Sequence, residues 1–424
     1  MAFLRCLTVA AMALGIFQSV GAAAPASVCS PKFFGAKADG RTKDTKAIQA
    51  AIDDCAQRGG GAVELGDGVY LSAPIVLKSH ITLELDAGAT LLGSRDQDDY
   101  PEMDVFRERD RQSLITATRA TDVAITGQGI VDGNGQPWWD AMRARKAAHD
   151  ASKYERPRLV VFDHCDHIHL EGVTFRNSPS WQIVPYYSQF VVIRNVKVLA
   201  PANSPNTDGI DPFSSDHVTI EHALVDVGDD NIAIKSGQPR SPGPDSPSKD
   251  ILIEDCTFLH GHGLSIGSEI AGGVQNVHAS NIHFKGTDTG VRVKSNRDRG
   301  GDIGNFEFHD IFMENVKTAV LISEYYPQIP QNDAAQPVTR LTPHFHDITI
   351  VNLQATGSKT AGFIIGLPES PIQTIRMNNV HISAEQGFSI SNATVLANGF
   401  VVDALKGAPF HMLENAKINQ LRKQ

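Results

Sequence analysis

A chain of 424 residues with 41% hydrophobic content is long enough for a large apolar core and does not have the composition of a disordered segment. Its formal net charge of −10 argues against a nucleic-acid partner and against unspecific attraction to polyanions. An acidic ligand would have to be held by a few local cations.

The first 24 residues read as a signal peptide. Arg5 gives a positive start, residues 7–20 are mostly apolar, and residues 21–26 are small, with Ala24-Pro25-Ala26 suited to cleavage. The mature chain, from about residue 25, is therefore expected outside the cytoplasm, extracellular or periplasmic. Val28 before Cys29 argues against a lipid anchor, and no other stretch is apolar for long enough to span a bilayer. Cys6 leaves with the signal. Cys29 and Cys55 flank a helix-like segment and are expected to pair in an oxidising compartment, closing a loop worth roughly 3 kcal/mol. Cys165 and Cys256 sit in apolar strand patterns without partners at zinc spacing, and read as core residues.

Residues 42–55 have helical periodicity, with Ala47, Ile48, Ala51 and Ile52 on one face. Such a helix would close one end of a solenoid. Short alternating strands follow at residues 61–65, 81–85, 123–125, 167–170, 191–193, 218–220, 251–253, 306–308 and 348–350. Each is too short to bury its own face, whereas stacked parallel coils can do so. The pattern predicts one all-β domain, a single-stranded right-handed parallel β-helix over residues 25–424 with a short N-terminal capping helix.

The second strands align on Gly209-Ile210, Asn231-Ile232, Gly263-Leu264 and Gly290-Val291. Gly and Asn tolerate positive φ, so this column is predicted to be a left-handed corner repeated coil after coil. Insertions at residues 237–249 and 326–342 are expected to line a binding groove. His164, His167 and His169 are irregularly spaced along their strand and carry no metal prediction.

The corner column also serves as a ruler. Asp208, Asp230 and His262 each precede it on consecutive coils, and parallel coils stack about 4.8 Å apart. These groups therefore share one face. Asp229 lies beside Asp230 and one coil from Thr207. Arg292 and Lys294 flank Val293, so strand alternation sends both outward if Val293 points in. Carboxylates this close cannot all ionise freely; at least one pKa should rise, which suits a general acid, while others deprotonate a water. A pair of carboxylates in acid and base roles is what glycoside hydrolysis requires, and the cations would hold sugar carboxylates.

At this point the motifs Asn206-Thr207-Asp208, Gly228-Asp229-Asp230, Gly261-His262-Gly263 and Arg292-Val293-Lys294 resemble those of family-28 glycoside hydrolases, the polygalacturonase family. The last motif departs conservatively from the usual Arg-Ile-Lys. The likeness extends to Phe34-Gly35-Ala36, Asp44-Thr45, the stretch from Gly127-Gln128-Gly129 to Trp139, and Ser178-Pro179-Ser180-Trp181, and residues 261–269 look bacterial in style. The resemblance implies a monomeric, cofactor-free and metal-free hydrolase of polygalacturonate, the acidic backbone of pectin, acting with inversion, with endo action expected. It implies Asp229 as general acid, Asp208 and Asp230 as the pair that activates water, and His262 as keeper of the acid's proton balance. It further implies Arg292, Lys294, Asn206 and Tyr326 as substrate ligands. Carboxylates about 5 Å apart are associated with retention by the general spacing rule, and here the resemblance points the other way. Two rivals share the architecture: a pectate lyase using the Asp cluster to hold Ca²⁺, and a non-catalytic carbohydrate-binding solenoid. The latter would need aromatic platforms, and Phe, Trp and Tyr make up 7% of the chain.

Overall fold

The computed structural model describes residues 28–105, 108–152, 154–237 and 246–421. The predicted signal segment and the middle of the 237–249 insertion lie outside the described residues. Strands pair in parallel with the strand one coil on, as a parallel β-helix requires. In the first column Ile125, Leu170, Ile193, Ile220 and Ile253 share one register position, and all are buried. Alternation explains this: every second residue of each strand points into the solenoid, where the aliphatic side chains of successive coils stack. A second column runs through Ile130–Asp132, Thr174–Arg176, Lys197–Leu199 and Leu224–Asp226. The third column runs through Ile115–Thr118, Val160–Asp163 and Ile183–Tyr186, then Ile232–Ile234, Leu264–Ile266, Thr289–Lys294 and Thr318–Ser323. Bridges Ile183↔Ile210 and Ile210↔Ile232 carry it across the coil of Asp208.

The capping helix α1 spans Thr45–Gln57, a few residues later than predicted, because residues 42–43 belong to the strand Asp39–Lys43. Asp44 stands between the two, and its carboxylate accepts from the Lys37 and Ala38 amides at 2.7 and 2.9 Å. The inward face is the predicted one, Ala47, Ile48, Ala51 and Ile52, joined by Cys55. Cys55 is linked to Cys29 with Cα atoms 6.0 Å apart, as expected. The bridge closes a 26-residue separation, so replacing both cysteines with Ala is expected to cost about 3 kcal/mol. Denaturant midpoints measure this, and a midpoint unchanged from the parent would mean the link does not form. Cys165 and Cys256 are buried free thiols, and burial pushes their pKa values up to about 11 and about 12.

Two readings need correction. A second helix, α2 (Gln136–Ala147), had not been expected; Pro137 sits in its first turn and Trp138 and Trp139 are buried beneath it. The glycine column is not a left-handed corner. Of Gly209, Asn231, Gly263 and Gly290, Gly263 alone has positive φ, at 83°. At Gly209 the requirement is proximity, since a Cβ would lie 2.5 Å from the Asn231 carbonyl oxygen. Positive φ falls instead at the bend between first and second strands, on Asp255, Asn281, Asp310, Asn352 and Asn379. Their short polar side chains suit that conformation and bond from coil to coil: Asn281 to Asp255 at 2.6 Å, Asn352 to Asp310 at 2.9 Å and Asn379 to Asn352 at 2.9 Å.

Candidate active site

The third column carries the chemistry. Ile210, Ile232 and Leu264 are buried at one register position, so Asp208, Asp230 and His262, each two residues earlier, line up on successive coils. Asn231 fixes the middle coil: its amide donates to the Val225 and His260 carbonyls at 3.0 and 2.6 Å, and its Oδ1 accepts from the Gly263 amide at 2.9 Å. Asn206, at φ 54°, is held from below by Arg156. The Arg156 guanidinium donates to Asn206 Oδ1 at 2.7 Å and to the Pro179 and Pro205 carbonyls at 2.9 and 2.8 Å.

Asp230 is the most heavily bonded carboxylate of the cluster. Its Oδ1 accepts from Ser265 Oγ at 2.8 Å and Arg292 Nη1 at 3.1 Å, and its Oδ2 accepts from Lys294 Nζ at 2.6 Å. Burial would raise its pKa, but Lys294, Arg292 and Lys235 together hold it well below the usual carboxylate range. Asp208 is displaced the opposite way. Burial first, and then the charge of Asp229, push it up to about 7, while Lys235 Nζ at 3.5 Å opposes the rise. Asp229 accepts from the Asp230 amide at 2.9 Å and faces Asn206 Nδ2 at 3.5 Å. His262 lies between two carboxylates, with Nδ1 3.1 Å from Asp229 and Nε2 3.3 Å from Asp288. The bond to Asp229 raises its pKa against the opposing effect of burial.

All the residues singled out from the sequence thus converge, Tyr326 included; its ring centroid is 5.3 Å from Lys294 Nζ and 5.9 Å from the Arg292 guanidinium. The raised carboxyl is Asp208 rather than Asp229, because depth in the coil outweighs position at the corner. Arg292 and Lys294 do point outward from the strand, yet both are engaged by Asp230 rather than open to solvent. Sequence reasoning missed Lys235, Asp211, Glu269 and Asp288. Lys235 is buried and lies 3.5, 4.0 and 3.3 Å from Asp208, Asp211 and Glu269. Alternation from the inward Ile232 and Ile234 would have found it. Asp211 occupies the register of Ser265 and Arg292, with neither carboxyl oxygen hydrogen-bonded; burial keeps its pKa well above the usual value.

The state of Asp208 sets a pH dependence. A folded pKa above the ordinary 3.8 means the native state keeps a proton that the unfolded chain has released. That contribution is full below about pH 4 and is lost as pH rises through about 7. Asp208→Asn removes it, so its Tm should vary less than the parent's between those limits and exceed it by a few degrees above pH 7. Parallel Tm–pH curves for the two proteins would show that Asp208 titrates normally.

The sequence profile of glycosyl hydrolases family 28 matches residues 55–399, which contain the whole cluster. The chain belongs to this family. A relative from Pectobacterium carotovorum subsp. carotovorum, named as an endo-polygalacturonase, is 31% identical over 85% of this chain and 89% of its own. The solved exopolygalacturonase of Thermotoga maritima superposes with a TM-score of 0.77 at 29% identity, covering 89% of this chain and 92% of that one. The polygalacturonase of Erwinia carotovora ssp. carotovora gives 0.74 at 27%, covering 89% and 99%. As a family-28 member the chain is a glycoside hydrolase of polygalacturonase type, and the family implies a pectic substrate.

Proposed function

We propose that this hydrolase cleaves the α-1,4 bonds of polygalacturonate with inversion, within the chain rather than from its ends. The observation that carries the reading is the joining of Asp208, Asp229, Asp230 and His262 with Arg292 and Lys294 on one column. Asp229 is assigned the acid role because its side chain is 22% exposed, against 5% for Asp208 and 2% for Asp230. A leaving-group oxygen on a polymer can reach the first; a water molecule can reach the others. Asp230, held ionised by its cations, is the ready base, and Asp208 shares the activation of water once deprotonated. His262 stabilises the Asp229 anion left after proton transfer. Arg292 and Lys294 meet a galacturonate carboxylate, with Asn206 and Tyr326 orienting the ring.

Endo action is supported by the bacterial relative named as an endo-polygalacturonase, and the competing exo reading by the Thermotoga maritima structure. Viscosity of polygalacturonate followed against reducing ends separates them: a steep fall at low bond cleavage is the endo outcome, and a proportional fall is exo. The same digest tests hydrolysis itself. Products should lack the ultraviolet absorbance of an unsaturated sugar and should form in the presence of chelator, whereas a lyase gives the reverse. The Cys29–Cys55 bridge supports export after removal of a signal peptide, leaving one catalytic domain acting as a monomer in the periplasm or outside the cell. Among the described residues no helix is long and apolar enough to cross a membrane.

A further inference from the structure

We propose that Asp302, His344 and His346 form a binding site for a borderline transition-metal ion, Zn²⁺ in the first instance, outside the candidate active site. His344 and His346 flank Phe345, which is fully buried, so strand alternation sends both imidazoles to the outer face of the first column. Asp302 pairs with His344 in register on the preceding coil. Its Oδ1 lies 3.0 Å from His344 Nδ1 and 3.2 Å from His346 Nε2. The ligand atoms all fall within 4.8 Å of one another. Tetrahedral zinc with bonds of about 2.0–2.1 Å needs ligand atoms roughly 3.3 Å apart, so small side-chain rotations suffice. Two imidazoles and one carboxylate suit zinc and exclude a preference for Mg²⁺ or Ca²⁺, which favour oxygen donors.

The surroundings are also those of a metal site. His346 Nδ1 lies 3.0 Å from Asp347 Oδ2, which fixes the ring and leaves Nε2 as the ligand atom. Gln275 Nε2 donates to the second oxygen of Asp302 at 3.0 Å, leaving Oδ1 for the ion. Arg376 Nη1, 3.6 Å from the other Asp347 oxygen, anchors that carboxylate in turn. Opposite His346 in register is Gly304, where a Cβ would stand 2.5 Å from the His346 Cε1. Only glycine leaves the imidazole room to lie over the preceding coil. The ion would clasp two successive coils on either side of the 326–342 insertion.

Isothermal titration of the full disulfide-bonded chain at pH 7, with Zn²⁺, Mg²⁺ and Ca²⁺ as separate titrants, tests this. Zinc should bind saturably and the other two should not. His346→Gln should remove one equivalent of zinc, while His278→Gln, in the neighbouring cluster with Glu307 and His309, should not. Asp347→Asn guards against a folding defect, since Asn adopts the positive φ of 49° at this position as readily as Asp. It should weaken zinc binding about 10- to 100-fold. Absence of zinc binding by the parent chain, equal stoichiometry in His346→Gln, or equal affinity for Mg²⁺ would overturn the assignment.

Discussion

Replacing Asp229 with Asn is expected to slow turnover of polygalacturonate by about 10²–10⁴-fold, the range for losing a general acid, with little change in Tm. Asparagine keeps an oxygen to accept the Asp230 amide bond, so the local backbone should be undisturbed. It cannot supply the proton that the departing sugar oxygen needs. Two side effects identify the change as electrostatic. His262 loses the partner that raises its pKa, and Asp208 loses the neighbouring charge that helps to hold its own pKa up. Both titrations should therefore shift towards ordinary values, which NMR of the imidazole can follow for His262. Retention of most of the turnover would move the acid role to another carboxylate. The raised pKa of Asp208 would then make it the first alternative.

Lys294→Met is expected to lower kcat/KM on polygalacturonate about 10- to 150-fold, the equivalent of one charge-assisted hydrogen bond of roughly 1.5–3 kcal/mol. Methionine retains much of the buried stem's volume, so the chain should fold. Part of the loss reflects substrate recognition and should shrink on highly methyl-esterified pectin, which lacks the carboxylate. Another part should remain on both substrates. Lys294 makes the 2.6 Å bond to Asp230, and without it only Arg292 and the more distant Lys235 keep that carboxylate ionised. The acid limb of the pH profile should therefore move upwards in the variant. Equal losses on the two substrates would remove Lys294 from recognition and leave it only the task of charging Asp230.

The parts legible in the sequence are those that repeat. Strand alternation located the strands of the first column and the face on which Asp208, Asp230 and His262 align, because a period of two admits one inward set. The same rule reached Arg292 and Lys294. It would have reached Lys235 had it been applied to the coil of Asp230. Arg156 and Asp288 act from segments outside the regular strands, where periodicity carries no information. The helix α2 was obscured because its buried tryptophans are adjacent and do not trace an extended stripe. Gly209 and Gly290 marked a real column but for a different reason, close approach of neighbouring backbone, and composition does not separate that from positive φ. The charge of Asp208 was beyond reach for another reason. Adjacency in register foretold that some carboxyl would hold its proton, but depth of burial chose which.

Stacking also governs how such a site can change over evolutionary time. Asp208 and Asp230 occupy equivalent places on successive turns of the solenoid, so their separation is set by the hydrogen-bonded pitch of about 4.8 Å and not by a loop that can lengthen by degrees. Moving a group to another turn or another strand position alters the spacing in fixed increments. Exchange of Asp for Glu is the remaining fine adjustment. Whole turns inserted beyond the 208–294 segment would lengthen the substrate groove and leave the reacting centre untouched. A turn inserted within it would separate acid from base in one step.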